Sequence, residues 1–376
     1  MQTQRRLNRL LAFALLLCAL PAALADSTGF ITAPNRNDVA YDVASHTLYI
    51  SGTDQLRRYD MASGSFLAPI QIGGTTAGMD ISPDGKTLAI ANFQQGLSSN
   101  FVDFVNLTDG SVTRQNIPYS GHEGGTFTVA YESQGKLLVT ATADGPFQTT
   151  LRQLDTTSGT STSLGQVWSS SMLSASADHK VIAIAEPLVS GGRWGYYQVG
   201  DSSYVAQHPG HGDRFDLNSE GFSFEIAASS DGSQLTIPTS GGTFISDANG
   251  LRHLVGQYGG PTPIGAAYSP LNDDIFLPFS GTDYVAEYDS STLQEVNRFV
   301  ADGHIFQWQR NSAFAEGRTK VAADGSYFFT TLDDGIFFGS LVPVPEVGTW
   351  LQLTLGLGFG ALVAYRRSRT KLIQSA

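Results

Sequence analysis

The chain has 376 residues, of which 41% are hydrophobic and 11% aromatic, with 41 glycines and a formal net charge of −12. This is enough apolar side chain for a folded core, so the composition excludes a disordered or collagen-like chain. Residues 26–346 contain 15 basic and 34 acidic side chains, a net charge of −19, and a body this acidic repels phosphate backbones, which argues against nucleic acid as a partner.

The first 25 residues have the three-part pattern of a secretory signal peptide. Three arginines precede the apolar block 10–20, and small residues stand at positions −3 and −1 relative to Asp26. The apolar run of about eleven residues is shorter than the ~20 that a membrane-spanning helix needs. We therefore expect export and removal of residues 1–25 by signal peptidase. Cys18 is the only cysteine, so the mature chain is expected to contain no thiol.

The body, residues 26–341, repeats one pattern seven times: a strand, a tight turn and a second strand. In the clearest copy, 78–91, Asp84-Gly85 supplies the positive φ angle that a short hairpin turn needs. Equivalent second-strand positions are Leu48, Leu88, Leu137, Val181, Leu235, Ile275 and Tyr327. They recur at intervals of 40 to 54 residues, the period of a four-stranded propeller blade. The sequence therefore predicts an all-β fold, a seven-bladed β-propeller.

The last repeat is too short to supply its own outer strand. It ends after 335–341, whereas an unassigned β-like run, 28–32, follows the expected signal-peptide cleavage site. An open ring would leave two sheet edges unpaired. We therefore expect the N-terminal run to pair with the last repeat and close the ring.

The segment 81–88, ISPDGKTL, resembles the repeats of YVTN-type and lactonase-like seven-bladed propellers. This resemblance implies the fold but no single activity, because such propellers include lactonases, quinoprotein dehydrogenases and non-catalytic binders. The sequence has no Gly-x-Ser-x-Gly elbow, phosphate-cradling loop or His-Glu-x-x-His motif. No catalytic residue and no cofactor is therefore assigned.

Candidate ligand-binding residues lie mainly in the loops between repeats, which share the propeller face over the channel mouth; we call this the upper face. They are His122, Glu123, Arg193, Trp194, His208, His211, Asp213, His304, Trp308 and Arg310. Three of them, His208, His211 and Asp213, could bind a divalent metal ion together with His122 or Glu123. A His-x-x-His in a Gly/Pro loop is more often a surface feature, so no metal site is assigned.

Two tryptophan and arginine pairs in these loops suggest a different ligand. Trp194 beside Arg193, and Trp308 near Arg310, could stack on sugar rings while the guanidinium binds a carboxylate of an acidic polysaccharide. The alternative is that these tryptophans pack between blades.

Residues 342–376 have the pattern of a single membrane anchor with a basic end. A short linker, 342–346, precedes the uncharged run 347–365, which would be about 28 Å long as a helix. A basic tail, 366–376, follows the run. Positively charged tails stay in the cytoplasm, so the acidic body should lie on the opposite, outer side of the membrane. Pro345 and Glu346 precede the uncharged run, and Arg366, Arg367 and Arg369 follow it.

This arrangement resembles the PEP-CTERM tail, and the resemblance implies that Pro345, Glu346, Arg366, Arg367 and Arg369 are the sorting-motif residues. In that family an exosortase, a membrane protease-transpeptidase of Gram-negative bacteria that make extracellular polysaccharide, recognises and cleaves the tail. The resemblance implies an inner-membrane, single-pass intermediate with a periplasmic body, followed by transfer to the cell surface or the medium. Without processing, 347–365 would be an ordinary single transmembrane anchor.

Two functions follow from these expectations. The first is an exported binding or scaffolding protein whose partner is extracellular polysaccharide or another surface protein. The alternative is a lactonase-like or metal-assisted hydrolase that acts at the upper face through His122, His208, His211 and His304. A convergent cluster of histidines and acids would favour the hydrolase, whereas a broad aromatic surface would favour the binder.

Overall fold

The computed structural model describes residues 28–93, 99–119, 121–143, 145, 147–187, 193–206, 225–257, 260–307 and 316–341. Within these ranges the chain forms 25 β-strands, all antiparallel to their neighbours, in six sheets. The predicted signal peptide, linker, transmembrane helix and basic tail lie outside them. A search of the described ranges finds no helix with the length and apolar character of a membrane span.

The first sheet has six strands and contains one unusually long one. In order, its strands are β2 (Arg36–Asp42), β3 (Thr47–Asp60), β4 (Ser65–Ile81), β5 (Thr87–Asn92), β6 (Ser99–Asn106) and β7 (Val112–Pro118). The first half of β4 pairs with β3 and its second half pairs with β5. Near the middle of β4, Gly73 and Gly74 have φ of 79° and 78°, a backbone conformation that residues other than glycine rarely adopt. The glycine pair lets β4 turn from pairing with β3 to pairing with β5.

The prediction of seven blades is therefore wrong. The described strands form six sheets, because the first two repeats share β4 and belong to one six-stranded sheet. The sequence pattern identifies strand-turn-strand units, but it cannot distinguish two strands joined by a turn from one strand that runs through a glycine pair. The all-β propeller class itself is what the structure has.

Four strands form the next sheet, three the one after it, and four each of the two that follow. The second sheet contains β8 (Glu123–Tyr131), β9 (Leu137–Ala143), β10 (Gln148–Leu154) and β11 (Ser161–Trp168), and the third contains β12 (Met172–Ala175), β13 (Val181–Glu186) and β14 (Arg193–Gln198). The fourth contains β15 (Ala227–Ala228), β16 (Leu235–Thr239), β17 (Gly242–Asp247) and β18 (Gly250–Val255). The fifth contains β19 (Ala267–Tyr268), β20 (Ile275–Pro278), β21 (Tyr284–Asp289) and β22 (Gln294–Val300).

The last sheet combines the two ends of the body. Its order is β1 (Thr28–Thr32), β25 (Gly335–Ser340), β24 (Tyr327–Thr331) and β23 (Thr319–Val321). β1 runs antiparallel to β25, from Thr28 opposite Gly339 to Thr32 opposite Gly335. The prediction that the N-terminal run pairs with the last repeat is confirmed.

Apolar side chains between neighbouring sheets form the core. One cluster joins the last sheet to the first, so the ring is closed, and it contains Ile31, Ala33, Val39, Tyr41, Leu48, Ile50, Ala322, Phe329 and Ile336. Between the fifth and last sheets, the rings of Phe276 and Phe328 stack with centroids 5.2 Å apart. Each sheet thus buries its faces against its neighbours in the ring.

Candidate functional site

Three buried charged residues meet where innermost strands of different sheets begin. Asp38 lies in β2, Arg318 directly precedes β23, and Glu225 lies two residues before β15. An Nη2 atom of Arg318 is 3.1 Å from Oδ2 of Asp38, and its Nη1 atom is 3.2 Å from Oε1 of Glu225. Their exposed fractions are 4%, 0% and 4% for Arg318, Asp38 and Glu225. We call these three residues the axial cluster.

The axial cluster links four sheets through one guanidinium. In addition to the two carboxylates, Nη1 of Arg318 contacts Sδ of Met172, the first residue of β12, at 3.4 Å. Arginine suits this position because its planar fork of donors can engage several acceptors at once. The arrangement fixes the relative positions of the sheets at the upper end of the axis.

Asp38 is held by backbone donors as well as by cations. Its Oδ1 accepts a hydrogen bond from its neighbour Val39 N at 2.9 Å, and its Oδ2 accepts one from Met79 N at 2.9 Å. Lys320 of β23 lies two residues after Arg318, so both side chains point to the same side of the extended backbone, and its Nζ is 3.9 Å from the same Oδ2. The carboxylate of Asp38 is thus paired and hydrogen-bonded, as a buried ion requires.

Burial perturbs the protonation of Glu225. It raises the pKa of Glu225 to about 7, although the nearby Arg318 and Lys320 act to lower it, and the charge of Asp38 raises it further. A carboxyl group that changes charge near neutral pH is a candidate functional group, although structural ion pairs show the same perturbation.

Replacing Glu225 with glutamine is expected to change the pH dependence of stability between about pH 4.5 and 7. Glu225 keeps its proton up to about pH 7 in the native state but loses it near 4.5 when unfolded. Its contribution to the free energy of unfolding is therefore complete below pH 4.5 and is lost as the pH rises to 7. From pH 4.5 to pH 7, the free energy of unfolding of the variant should therefore rise relative to that of the wild type by on the order of 3 kcal/mol. Urea unfolding at a series of pH values measures this change. A difference that does not vary with pH would contradict the assignment.

Glu123, one of the predicted ligand-binding residues, is buried and is hydrogen-bonded to other residues of the protein. It is 2% exposed and accepts hydrogen bonds from Asn100 Nδ2 and Arg152 Nη1, both at 2.8 Å. The ion pair with Arg152 has exposed side-chain fractions of only 7% and 1%. Glu123 thus ties β8 to β10 and to the neighbouring β6.

The two described histidines of the predicted upper-face set stack on different phenylalanines. The ring of His122 stacks on Phe147, with centroids 4.6 Å apart. His304 stacks on Phe30 of β1 at 3.6 Å, and its Nδ1 is 3.2 Å from Oδ2 of Asp334. The described ranges contain no group of three or more His, Cys, Asp or Glu side chains arranged to bind a metal ion.

Arg193 and Trp194 are both engaged within the fold. Arg193 pairs with Glu186 and lies over the ring of Trp168, 5.8 Å from its centroid. Trp194 is 5% exposed and packs in the core cluster that spans four neighbouring sheets. The structure therefore places the indole where a sugar ring has no access to it.

The remaining candidates lie outside the described residues. They are His208, His211, Asp213, Trp308 and Arg310, with the sorting residues Pro345, Glu346, Arg366, Arg367 and Arg369. Sequence reasoning missed the axial cluster altogether. Its one available signal was the pair of cations Arg318 and Lys320, which are two positions apart in a segment without acidic residues.

Comparison with known proteins supports the fold alone. No protein-family model matches the chain, and no curated protein matches it. The solved structure titled Kuenenia stuttgartiensis hydrazine synthase matches with 12% sequence identity and a TM-score of 0.60, over 84% of this chain and 98% of that chain. The β-propeller domain of Myceliophteria thermophila Cps50 (Swd1) matches with 10% identity and a TM-score of 0.59, over 85% of this chain and 100% of that chain. At these identities the similarity shows a β-propeller body, and the PEP-CTERM and YVTN resemblances stay predictions.

Proposed function

We propose that the chain is an exported β-propeller that serves as a binding or scaffolding protein of the cell surface or the extracellular matrix. Its partner would be an extracellular polysaccharide or another surface protein. Signal peptidase would remove residues 1–25, and an exosortase would process the tail that begins at Pro345-Glu346. The intermediate would be anchored in the inner membrane by residues 347–365, with its body in the periplasm.

The observation that carries this proposal is the axial cluster. Small ligands of propellers usually bind over the channel mouth, but here Arg318 is buried where the innermost strands begin and contacts residues that belong to, or closely precede, three other sheets. A ring braced in this way is a rigid support, and rigid supports present binding surfaces with little loss of conformational freedom. The described histidines His122 and His304, each stacked on its own aromatic ring, add no convergent catalytic group.

A hydrolase remains the second candidate because of Glu225. A pKa of about 7 is what a general acid or base needs at neutral pH. Against this function, Glu225 is 4% exposed and already pairs with Arg318. If the protein hydrolyses lactones through Glu225, the Glu225→Gln variant should lose turnover while it keeps its fold. Turnover that survives this substitution would remove the observation that favours the hydrolase.

Cell fractionation in an exosortase-bearing Gram-negative bacterium tests the proposed function. The wild-type chain should be found at the cell surface or in the medium, shortened at its C-terminus. The double variant Pro345→Ala and Glu346→Ala should stay at full length in the inner membrane. Pro343→Ala, which changes a proline just before the motif, is the matched control and should behave like the wild type.

The same fractions identify the class of partner. Release from the surface in a strain that makes no extracellular polysaccharide would indicate a glycan, whereas retention there would indicate a surface protein. A chain that stays in the cytoplasm with residues 1–25 attached would contradict the proposed function.

A further inference from the structure

A groove of about 830 Å³ separates the first sheet from the sheet of β8 to β11. Residues of β6, β7 and the β4–β5 turn line one side, and residues of the β8–β9 and β10–β11 turns line the other. The β4–β5 and β8–β9 turns follow inner strands, and the β10–β11 turn lies at the same end because successive strands alternate in direction. The groove therefore lies at the end of the propeller opposite the axial cluster. Its volume falls within the ~300–1,000 Å³ that is typical of small-ligand sites.

Hydroxyl and amide side chains predominate in this groove. They include Thr113, Gln115, Asn116, Ser133, Thr157 and Ser158. Phe104, which is half-buried, also lines it and adds an apolar ring. Sugars combine many hydroxyl groups with apolar C–H faces, so the groove has the chemistry to bind both parts of a sugar.

The charges in the groove are neutralised within the protein. Nε and Nη2 of Arg114 lie 2.7 and 3.0 Å from the two carboxylate oxygens of Asp103, and its guanidinium lies 3.9 Å above the ring of Phe101. Asp84, the lining carboxylate, accepts a hydrogen bond from Ser82 Oγ at 2.6 Å and pairs with Lys86. A ligand with its own negative charges would meet no unpaired lining cation and would be repelled by the acidic body.

The side-chain amide of Gln115, which lines the groove, has an unused hydrogen-bond donor. Its Nε2 atom is buried and makes no hydrogen bond within the described residues. A buried amide without a partner is costly, by about 1–3 kcal/mol. The amide lies against Gly159, where an added Cβ would be 2.9 Å from Nε2. With a rotation of its side chain, Gln115 could donate to a sugar oxygen in the groove.

We infer that this groove binds an uncharged oligosaccharide. The inference rests on the proposed function and adds to it a site and a ligand class. It also differs from the expectation of an acidic polysaccharide at Trp194 and Trp308, since the groove has a balanced charge and lies at the other end of the propeller.

A glycan array probed with the purified full chain tests this inference. The array carries neutral oligosaccharides together with uronic-acid and sulfated ones. We expect binding to neutral glycans, weakened at least about tenfold in Gln115→Ala, which loses the amide donor. Thr113→Trp, which fills the groove from an exposed position on β7, should abolish binding. Gln294→Ala, an exposed glutamine on the outer strand β22 of another sheet, is the matched control and should bind like the wild type.

Three results would overturn the groove assignment. Neutral glycans bound equally well by the wild type and both groove variants would place the site elsewhere. Binding to acidic glycans alone would refute the charge argument, and the absence of all glycan binding would refute the ligand class. None of these contradicts the proposed function, which fails only if fractionation finds the chain unexported. Thermal unfolding of each variant confirms that a loss of binding is not a loss of fold.

Discussion

Replacing Arg318 with alanine is expected to lower the free energy of unfolding by about 3–5 kcal/mol at pH 8, because the change removes the guanidinium that two buried carboxylates contact. Asp38 and Glu225 would keep their buried positions at 0% and 4% exposure without that cation. Urea unfolding followed by fluorescence measures the loss. The loss should be smaller at pH 5, where a Glu225 with a pKa of about 7 is protonated and has no charge to balance.

A surface ion pair provides the control for this prediction. Arg298 and Glu295, three residues apart on β22, lie 2.7 Å from each other with side-chain exposures of 47% and 33%. Exposed pairs of this kind contribute less than about 1 kcal/mol, so Arg298→Ala should have little effect. If Arg318→Ala is as mild as Arg298→Ala, the axial cluster does not hold the sheets together.

A neutral replacement of the axial cluster separates its charge from its contribution to packing. The triple variant Arg318→Met, Asp38→Asn and Glu225→Gln removes every charge and keeps similar volumes. Removing one partner of a buried ion network leaves an uncompensated buried charge, whereas removing all the charges together avoids that cost. We therefore expect the triple variant to be clearly more stable than Arg318→Ala alone in the same urea experiment.

The hairpin turns of the body could be predicted from sequence because they depend on neighbouring residues. Gly85, Gly232 and Gly325 follow aspartates, and all three have positive φ, at 69°, 73° and 69°, as the turn chemistry required. The number of sheets could not be predicted in the same way. It depends on whether β4 continues through Gly73 and Gly74, and both outcomes have the same alternation of apolar residues.

The axial cluster was beyond the reach of local patterns for a different reason. Arg318 and Asp38 are 280 positions apart, and they meet only because the ring is closed. The loop histidines gave a stronger sequence signal, since His122 and His304 lie between repeats, yet the ring of each stacks on a phenylalanine. Histidines in loops can be found by reading the sequence, whereas a contact between residues as distant as Arg318 and Asp38 can be found only once the closed ring is known.

Deleting Thr28–Thr32 is expected to remove a large part of the ~5–15 kcal/mol that stabilises a folded domain, or to prevent folding. The deletion removes one of the two strands that pair with β25, along the whole register from Gly339 to Gly335, and leaves only β24 as its partner. It also removes Ile31, which is 2% exposed and packs in the cluster that joins the last sheet to the first. The loss would therefore open the ring at its one junction between the two ends of the body.

Two point variants separate the strand's side chain from its backbone. Ile31→Ala should cost about 2–4 kcal/mol, as large-to-small changes in a packed core do, whereas Thr32→Ala, at an exposed position of the same strand, should change the stability by less than about 0.5 kcal/mol. If the deletion costs no more than Ile31→Ala, the pairing of β1 with β25 contributes little beyond one side chain. If the deletion lowers the free energy of unfolding by far more than Ile31→Ala does, the backbone hydrogen bonds of β1 close the ring. These bonds would then be what keeps the last sheet attached to the first.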